Sequence, residues 1–142
     1  MRDGLVIIPA LNEARSITTV LNNTRRYAPA YDVLVVDDGS EDDTAHLARQ
    51  AGALVVRHPF NLGYGTALQT GYLYALKHGY PLAVQMDADG QHNPADLAPL
   101  VEALESDGVD LAIGSRFHPD SHSRMPLLKR AGSLWFGALV RL

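Results

Sequence analysis

Cysteine is absent from this chain of 142 residues. That excludes a disulfide framework, a thiolate zinc site and a cysteine nucleophile, and it suits a reducing compartment. Long apolar runs are also missing. No stretch approaches the roughly 18 apolar residues that span a bilayer. The opening Met1-Arg2-Asp3-Gly4 leads into an apolar run that ends by Asn12, too short for a signal peptide. There is no internal repeat, low-complexity tract or inter-domain linker. With 46% apolar and 20% charged residues, what remains reads as one globular domain rather than a disordered tail, a collagen repeat or a coiled coil.

A broad basic face is missing too, which argues against a nucleic-acid partner. The net charge of −4 is unevenly spread. Met1 to Asp110 carries 7 basic and 15 acidic residues, whereas Leu111 to Leu142 carries 5 basic and 1 acidic. An acidic body with a basic tail fits a cation site in the former and an anion or membrane-surface contact in the latter. A chance asymmetry of solvated charge is the alternative.

Short apolar runs alternate with helical periods. Leu5-Val6-Ile7-Ile8 reads as a strand stopped by Pro9, and Val33-Leu34-Val35-Val36 as a second, stopped by Asp37-Asp38-Gly39-Ser40. Further strands are expected at 53–56, 82–86 and 111–113. Ile17, Val20, Leu21 and Thr24 fall at helical spacing, as do Leu97, Leu100, Val101 and Leu104. Helices are also expected at 43–51, at 65–78 with Leu68, Tyr72, Ala75 and Leu76 inward, and from Leu127 onward. Strands without strict alternation, interleaved with helices, predict an α/β fold: a mostly parallel central sheet with helices on both faces. Ligands in such sheets bind beyond the carboxyl ends of the strands. Three polar clusters stand there: Pro9 to Glu13, Asp37 to Ser40 and Asp87 to Gln91. The chain stops inside a helical pattern, so the single domain of residues 1–142 reads as C-terminally incomplete.

Asp87-Ala88-Asp89 is the sharpest signal. Paired carboxylates at a strand end are costly unless a cation joins them, and Mg²⁺ or Mn²⁺ would do so while keeping positions open for water and phosphate oxygens. A turn built from Asp-Ala-Asp-Gly is the competing explanation. Asp38 can accept bonds from a base or a ribose, while Ser40 through Asp43 are explained by a turn and a helix cap. Glu13 suits either a nucleoside-pocket wall or a helix N-terminus, which Asn12 or Ser16 would cap. Asn61-Leu62-Gly63-Tyr64-Gly65 lacks the lysine of a Walker loop, and its glycines read as close backbone packing. Arg116 opens a basic segment with Arg124, Lys129 and Arg130, suited to phosphate or to plain solvation. The histidines share no metal spacing, although His92 lies near the Asp pair.

In order, Ile7-Ile8-Pro9-Ala10-Leu11-Asn12-Glu13, Val35-Val36-Asp37-Asp38-Gly39-Ser40, Asn61-Leu62-Gly63-Tyr64-Gly65, Met86-Asp87-Ala88-Asp89-Gly90-Gln91-His92 and Gly114-Ser115-Arg116 resemble the family-2 glycosyltransferases. The nearest branch is the dolichyl- or polyprenyl-phosphate sugar transferases. The resemblance implies a GT-A fold, a UDP- or GDP-linked sugar donor and Mg²⁺ or Mn²⁺. It places Pro9, Leu11 and Glu13 around the nucleoside, with Val36 and Asp38 at the base and ribose. Leu11 stands where the family often has an aromatic. Asp87, Ala88 and Asp89 match the Asp-X-Asp motif, with Asp89 the more direct metal ligand and Gln91 beside it. Arg116 matches an arginine near the phosphates, and Arg124, Lys129 and Arg130 resemble the acceptor side. The implied reaction is inverting sugar transfer to a lipid phosphate at the cytoplasmic face of a membrane. Two alternatives stand: a nucleotide-binding fragment without turnover, and an aspartate-nucleophile phosphatase. The second normally carries its motif after the first core strand, not the fourth.

Overall fold

A computed structural model describes residues 3–114. The expectations for Arg116, Arg124, Lys129, Arg130 and the helix from Leu127 lie outside the described residues. Strands β1 (Gly4–Ala10), β2 (Tyr31–Asp37), β3 (Leu54–Arg57) and β4 (Ala83–Gln85) alternate with helices α1 (Ile17–Tyr27), α2 (Thr44–Gln50), α3 (Tyr64–Lys77) and α4 (Leu97–Asp107). A 3₁₀ turn at Pro94–Asp96 leads into α4, with Asn93 accepting the Ala95 N–H at 3.1 Å.

The strands form one parallel sheet in the order β3-β2-β1-β4. β1 and β2 hold the longest apolar runs and lie innermost, with Leu5 to Ile8 and Leu34 to Val36 fully buried. Burying each such side chain fully is worth about 1.5–3 kcal/mol. Alternation sorts them between two cores. Val6, Ile8, Val33 and Val35 meet Ile17, Val20 and Leu21 of α1. Leu5, Ile7, Leu34 and Val36 meet Ala67 and Ala75 of α3. The chain runs outward from β1 through β2 to β3, then returns past both to β4. One crossover hand on both legs requires α3 on the opposite face from α1 and α2, as found.

Four expectations are corrected. β1 does not stop at Pro9 but continues to Ala10. Leu5 N–H and Ile7 C=O point to the β4 side, so by alternation Pro9 does too. β4 pairs only as far as Ile7, so the missing proline N–H falls where no ladder remains.

The inward face of α3 is Ala67, Gly71 and Ala75, whereas Tyr72 and Leu76 are exposed, the latter by 76%. Small residues win that face because the helix lies close to the sheet. A Cβ on Gly71 would stand 2.3 Å from Ile7 Cγ2.

Residues 111–113 are not a strand, and Leu111 and Ile113 are exposed. An apolar run becomes a strand only against a paired edge, and none of the described strands receives it.

Gly63 and Gly65 are not sites of close packing, since nothing lies within 4 Å of a Cβ at either. Gly63 instead has φ +94°, which a side chain would strain.

Candidate functional site

The order reverses between β1 and β4, so the loops leaving those strands diverge and open a crevice. A cleft of about 400 Å³ occupies it. Pro9, Ala10, Leu11 and Glu13 line it from the β1 loop, Asp38 from the end of β2, and Asp87, Ala88 and Asp89 from the β4 loop. Asn61, Gly63, Tyr64 and Ala67 close it from the start of α3.

The β1 loop is held by the acidic segment that follows β2. Asn12, at φ 57°, donates its N–H to Ser40 Oγ at 2.9 Å, and its Oδ1 accepts the Glu41 N–H at 2.9 Å. Glu13 N–H reaches Thr44 Oγ1 at 2.8 Å, and Ala14 N–H reaches Asp42 Oδ2 at 3.0 Å. Asp42 also accepts the hydroxyl and N–H of Thr44. Burial would raise the Asp42 carboxyl, but the bonds from Thr44 and Ala14 outweigh it and hold the group below its ordinary value. Ser16 occupies the N-cap position of α1, yet its hydroxyl turns back to Glu13 Oε2 at 2.5 Å. The backbone donors of this loop are thus satisfied from a distant segment.

Asp37 is a structural anchor. It is fully buried, lies 3.0 Å from Arg57 Nε, and accepts the Ser40 N–H at 3.1 Å. Asp38 reaches the cleft, but both its oxygens are engaged. Oδ1 meets His58 Nδ1 at 2.7 Å and the Leu62 N–H at 2.9 Å, and Oδ2 accepts the Gly63 N–H at 2.9 Å. Burial pushes this carboxyl up, but the bonds from His58, Leu62 and Gly63 outweigh it and hold it below the ordinary carboxylate value. His58 is itself buried, with Nε2 2.9 Å from Thr70 Oγ1. One carboxylate therefore fixes the whole turn from His58 to Gly63.

Asp87 is gripped from two sides. Tyr64 donates its phenol to Asp87 Oδ1 at 2.8 Å, and His92 Nε2 lies 3.5 Å from Oδ2. His92 Nδ1 also accepts the Asp87 N–H at 3.2 Å. Tyr64 in turn accepts from Gln85 Nε2 at 2.7 Å, and Gln85 Oε1 accepts the Tyr72 hydroxyl at 3.1 Å. Burial, together with the Asp87 bond and charge, pushes the Tyr64 phenol up to about 12, so it remains a donor at neutral pH. Asp89 is exposed and its Oδ1 accepts the Gln91 N–H at 2.8 Å.

Pro9, Leu11, Glu13, Asp38, Asp87, Ala88 and Asp89 are thus brought to one cleft. Val36 is not; it is fully buried among Leu5, Ile7 and Leu34. Gln91 is exposed beside Asp89 rather than lining the cleft. The Asn61–Gly65 segment stood out in the sequence, but the roles of Tyr64 and His58 did not, because Tyr64 meets Asp87 from 23 residues away and His58 meets Asp38 from 20. Among the described residues, no cluster of three or more Asp, Glu or His could enclose a cation. Two carboxylates on one cleft wall are a hard oxygen donor set that leaves positions for water and phosphate, which fits Mg²⁺ or Mn²⁺.

The family model described as Glycosyl transferase family 2 matches residues 5–131. Polyprenol monophosphomannose synthase of Mycolicibacterium smegmatis is 39% identical over 81% of this chain and 45% of its own length. UDP-N-acetylglucosamine–dolichyl-phosphate N-acetylglucosaminyltransferase of Methanococcus voltae is 34% identical over 94% of this chain and 61% of its own length. The chain therefore spans about half the length of these curated relatives. Among solved structures, a mannosyltransferase from Pyrobaculum calidifontis, in complex with GDP-Man and Mn²⁺, superposes with a TM-score of 0.62 at 31% identity, covering 73% of this chain and 33% of that one. Glucosyl-3-phosphoglycerate synthase from Mycobacterium tuberculosis, with Mn²⁺, UDP-Glc and phosphoglyceric acid, gives 0.60 at 29% identity, covering 72% and 39%.

Proposed function

The chain belongs to glycosyl transferase family 2, and from that premise we propose that it binds the diphosphate of a UDP- or GDP-linked sugar in the cleft and passes the sugar, with inversion, to a polyprenyl or dolichyl phosphate. The observation that carries this is the convergence of Asp87 and Asp89 with Pro9, Leu11, Glu13 and Asp38 on one crevice at the β1/β4 reversal. Curated relatives that use such lipid phosphates support the acceptor class.

In this reading the β1 loop forms the nucleoside wall. Asp38 holds the opposite wall through its bonds to the His58–Gly63 turn, and Val36 supports the floor from within the sheet. Asp87 and Asp89 hold the metal, with Gln91 beside them. When bound, Mg²⁺ or Mn²⁺ would neutralise charge growing on the departing diphosphate. Arg116 adds a cation there, while Arg124, Lys129 and Arg130 attract the acceptor phosphate. That acceptor is already an anion, so no general base is required of the protein. No helix among the described residues is long and apolar enough to cross a membrane. The acceptor is reached, in this reading, from the cytoplasmic face of the membrane.

Calorimetry with UDP and GDP, with and without Mn²⁺, tests the donor site. Transfer from each nucleotide sugar to polyprenyl phosphate in vesicles tests the reaction. Metal-dependent binding with transfer is expected. The absence of any nucleoside diphosphate binding would overturn the reading. Binding without transfer would mark a nucleotide-binding portion that needs the remainder of its relatives' length.

A further inference from the structure

The hydrogen bonds around Asp87 run in one direction. Tyr72 donates to Gln85 Oε1, Gln85 Nε2 donates to Tyr64, and Tyr64 donates to Asp87 Oδ1. Donors aligned head to tail polarise one another toward the terminal acceptor. From the other side, His92 Nδ1 accepts the Asp87 N–H, which leaves the proton on Nε2, the nitrogen facing Asp87 Oδ2 at 3.5 Å. Tyr64 meets Oδ1 and His92 faces Oδ2, so the two contacts fall on different oxygens of the carboxylate, each of which has more than one lone pair to offer.

The chain has little to offer the fold itself. Tyr64, Tyr72 and Gln85 are exposed, and bonds between exposed groups compete with water on nearly equal terms. Its effect is on orientation: it fixes the rotamer of one cleft-lining carboxylate from both sides. Tyr64 and Tyr72 sit two turns apart on α3, and Gln85 ends β4, so two rigid elements carry the chain.

Building on the proposed function, we propose that Tyr64 and His92 are positioning residues that hold the Asp87 carboxylate ready for a cation–diphosphate pair, with Gln85 and Tyr72 fixing the Tyr64 phenol. The preformed geometry spares the site the ordering of a free side chain when the ion arrives.

The test is Mn²⁺ binding to the protein saturated with UDP or GDP, read from the electron paramagnetic resonance of the free ion. Tyr64→Phe should weaken Mn²⁺ about five- to tenfold, the scale of one ordinary net hydrogen bond, and His92→Ala should weaken it by less, because its ring stands 3.5 Å from Asp87 Oδ2. Melting temperature should hold, and metal-dependent binding should fall more than metal-free binding. His92→Gln, which returns a donor near the Nε2 position, should recover part of the loss. Tyr72→Phe, at the far end of the chain, should show a smaller loss of the same kind. In an Asp87→Asn background Tyr64→Phe should add nothing, because the two act as one unit. Wild-type Mn²⁺ affinity in Tyr64→Phe would overturn the inference while leaving the donor site intact. So would equal losses of metal-free and metal-dependent binding. If the unaltered protein binds nucleotide without any Mn²⁺ dependence, the metal reading and this inference fall together.

Discussion

His58 and Asp38 meet at the cleft through a 2.7 Å contact between Nδ1 and Oδ1, twenty residues apart in sequence. The pair converts an acidic strand end into a clamp. Asp38 spends its oxygens on His58 and on two backbone N–H groups of the turn that follows. A carboxylate buried to this degree would be costly if left unpaired. Here its partners also shape the wall that carries Asn61 and Tyr64.

The clamp predicts an acid dependence. A carboxyl held below its ordinary value binds fewer protons folded than unfolded. Its stabilisation is therefore complete above about pH 4 and is lost as pH falls through the lower, folded value. Urea unfolding should find Asp38→Asn about 1–3 kcal/mol less stable than the parent at pH 7, the range for a buried bond to a charged group. That gap should close in acid. A gap of constant size from pH 7 to pH 3 would show that the Asp38 charge is not what stabilises the turn.

Asp89→Asn should weaken metal-dependent nucleotide binding by roughly 1–3 kcal/mol, the scale of a lost charged contact. Calorimetry with and without Mn²⁺ measures it. Unchanged affinity in a folded variant would remove Asp89 from the metal set.

Gly71→Ala should destabilise the fold. Its new methyl would lie 2.3 Å from Ile7 Cγ2, and Ile7 is fully buried in a central strand. Overpacking of this kind costs about 1–3 kcal/mol. Thermal melting should recover in the Gly71→Ala, Ile7→Ala double variant relative to expectation from the two singles. Strict additivity would argue that α3 shifts away instead.

Gly39 and Gly63 both have positive φ, but only Gly39 is crowded. A Cβ there would stand 2.5 Å from the Phe60 carbonyl carbon and 2.7 Å from the Asn61 nitrogen, whereas nothing lies within 4 Å at Gly63. Alanine at Gly63 should cost about 1 kcal/mol of backbone strain. Alanine at Gly39 should cost clearly more, and should also weaken nucleotide binding by moving the turn. Equal melting temperatures for the two variants would contradict the close contact.

The runs at Leu5–Ile8 and Val33–Val36 were legible as strands because a strand buried on both faces must be apolar throughout, while their inner position came only with the strand order. The buried face of α1, Ile17, Val20, Leu21 and Thr24, matched its helical spacing residue for residue. On α3 the same logic held for Leu68 and Ala75 but failed for Tyr72 and Leu76. Hydrophobic periodicity weights large side chains, whereas Ala67, Gly71 and Ala75 were chosen for closeness. Residues 111–113 failed for another reason: strand formation is a property of two chains side by side, and sequence shows only one.

The alternation of apolar runs with helical faces, and the carboxylates placed after β2 and β4, lie in the sequence because burial and turn chemistry act locally. Which of those polar groups meet was decided only by the fold. The reversal of strand order at β1 and β4 gathers Pro9, Asp38, Asp87 and Asp89 around one crevice. Contacts such as His58 with Asp38 and Tyr64 with Asp87 depend on distances that chain spacing does not encode. They arise where packed elements fix side chains within hydrogen-bond reach.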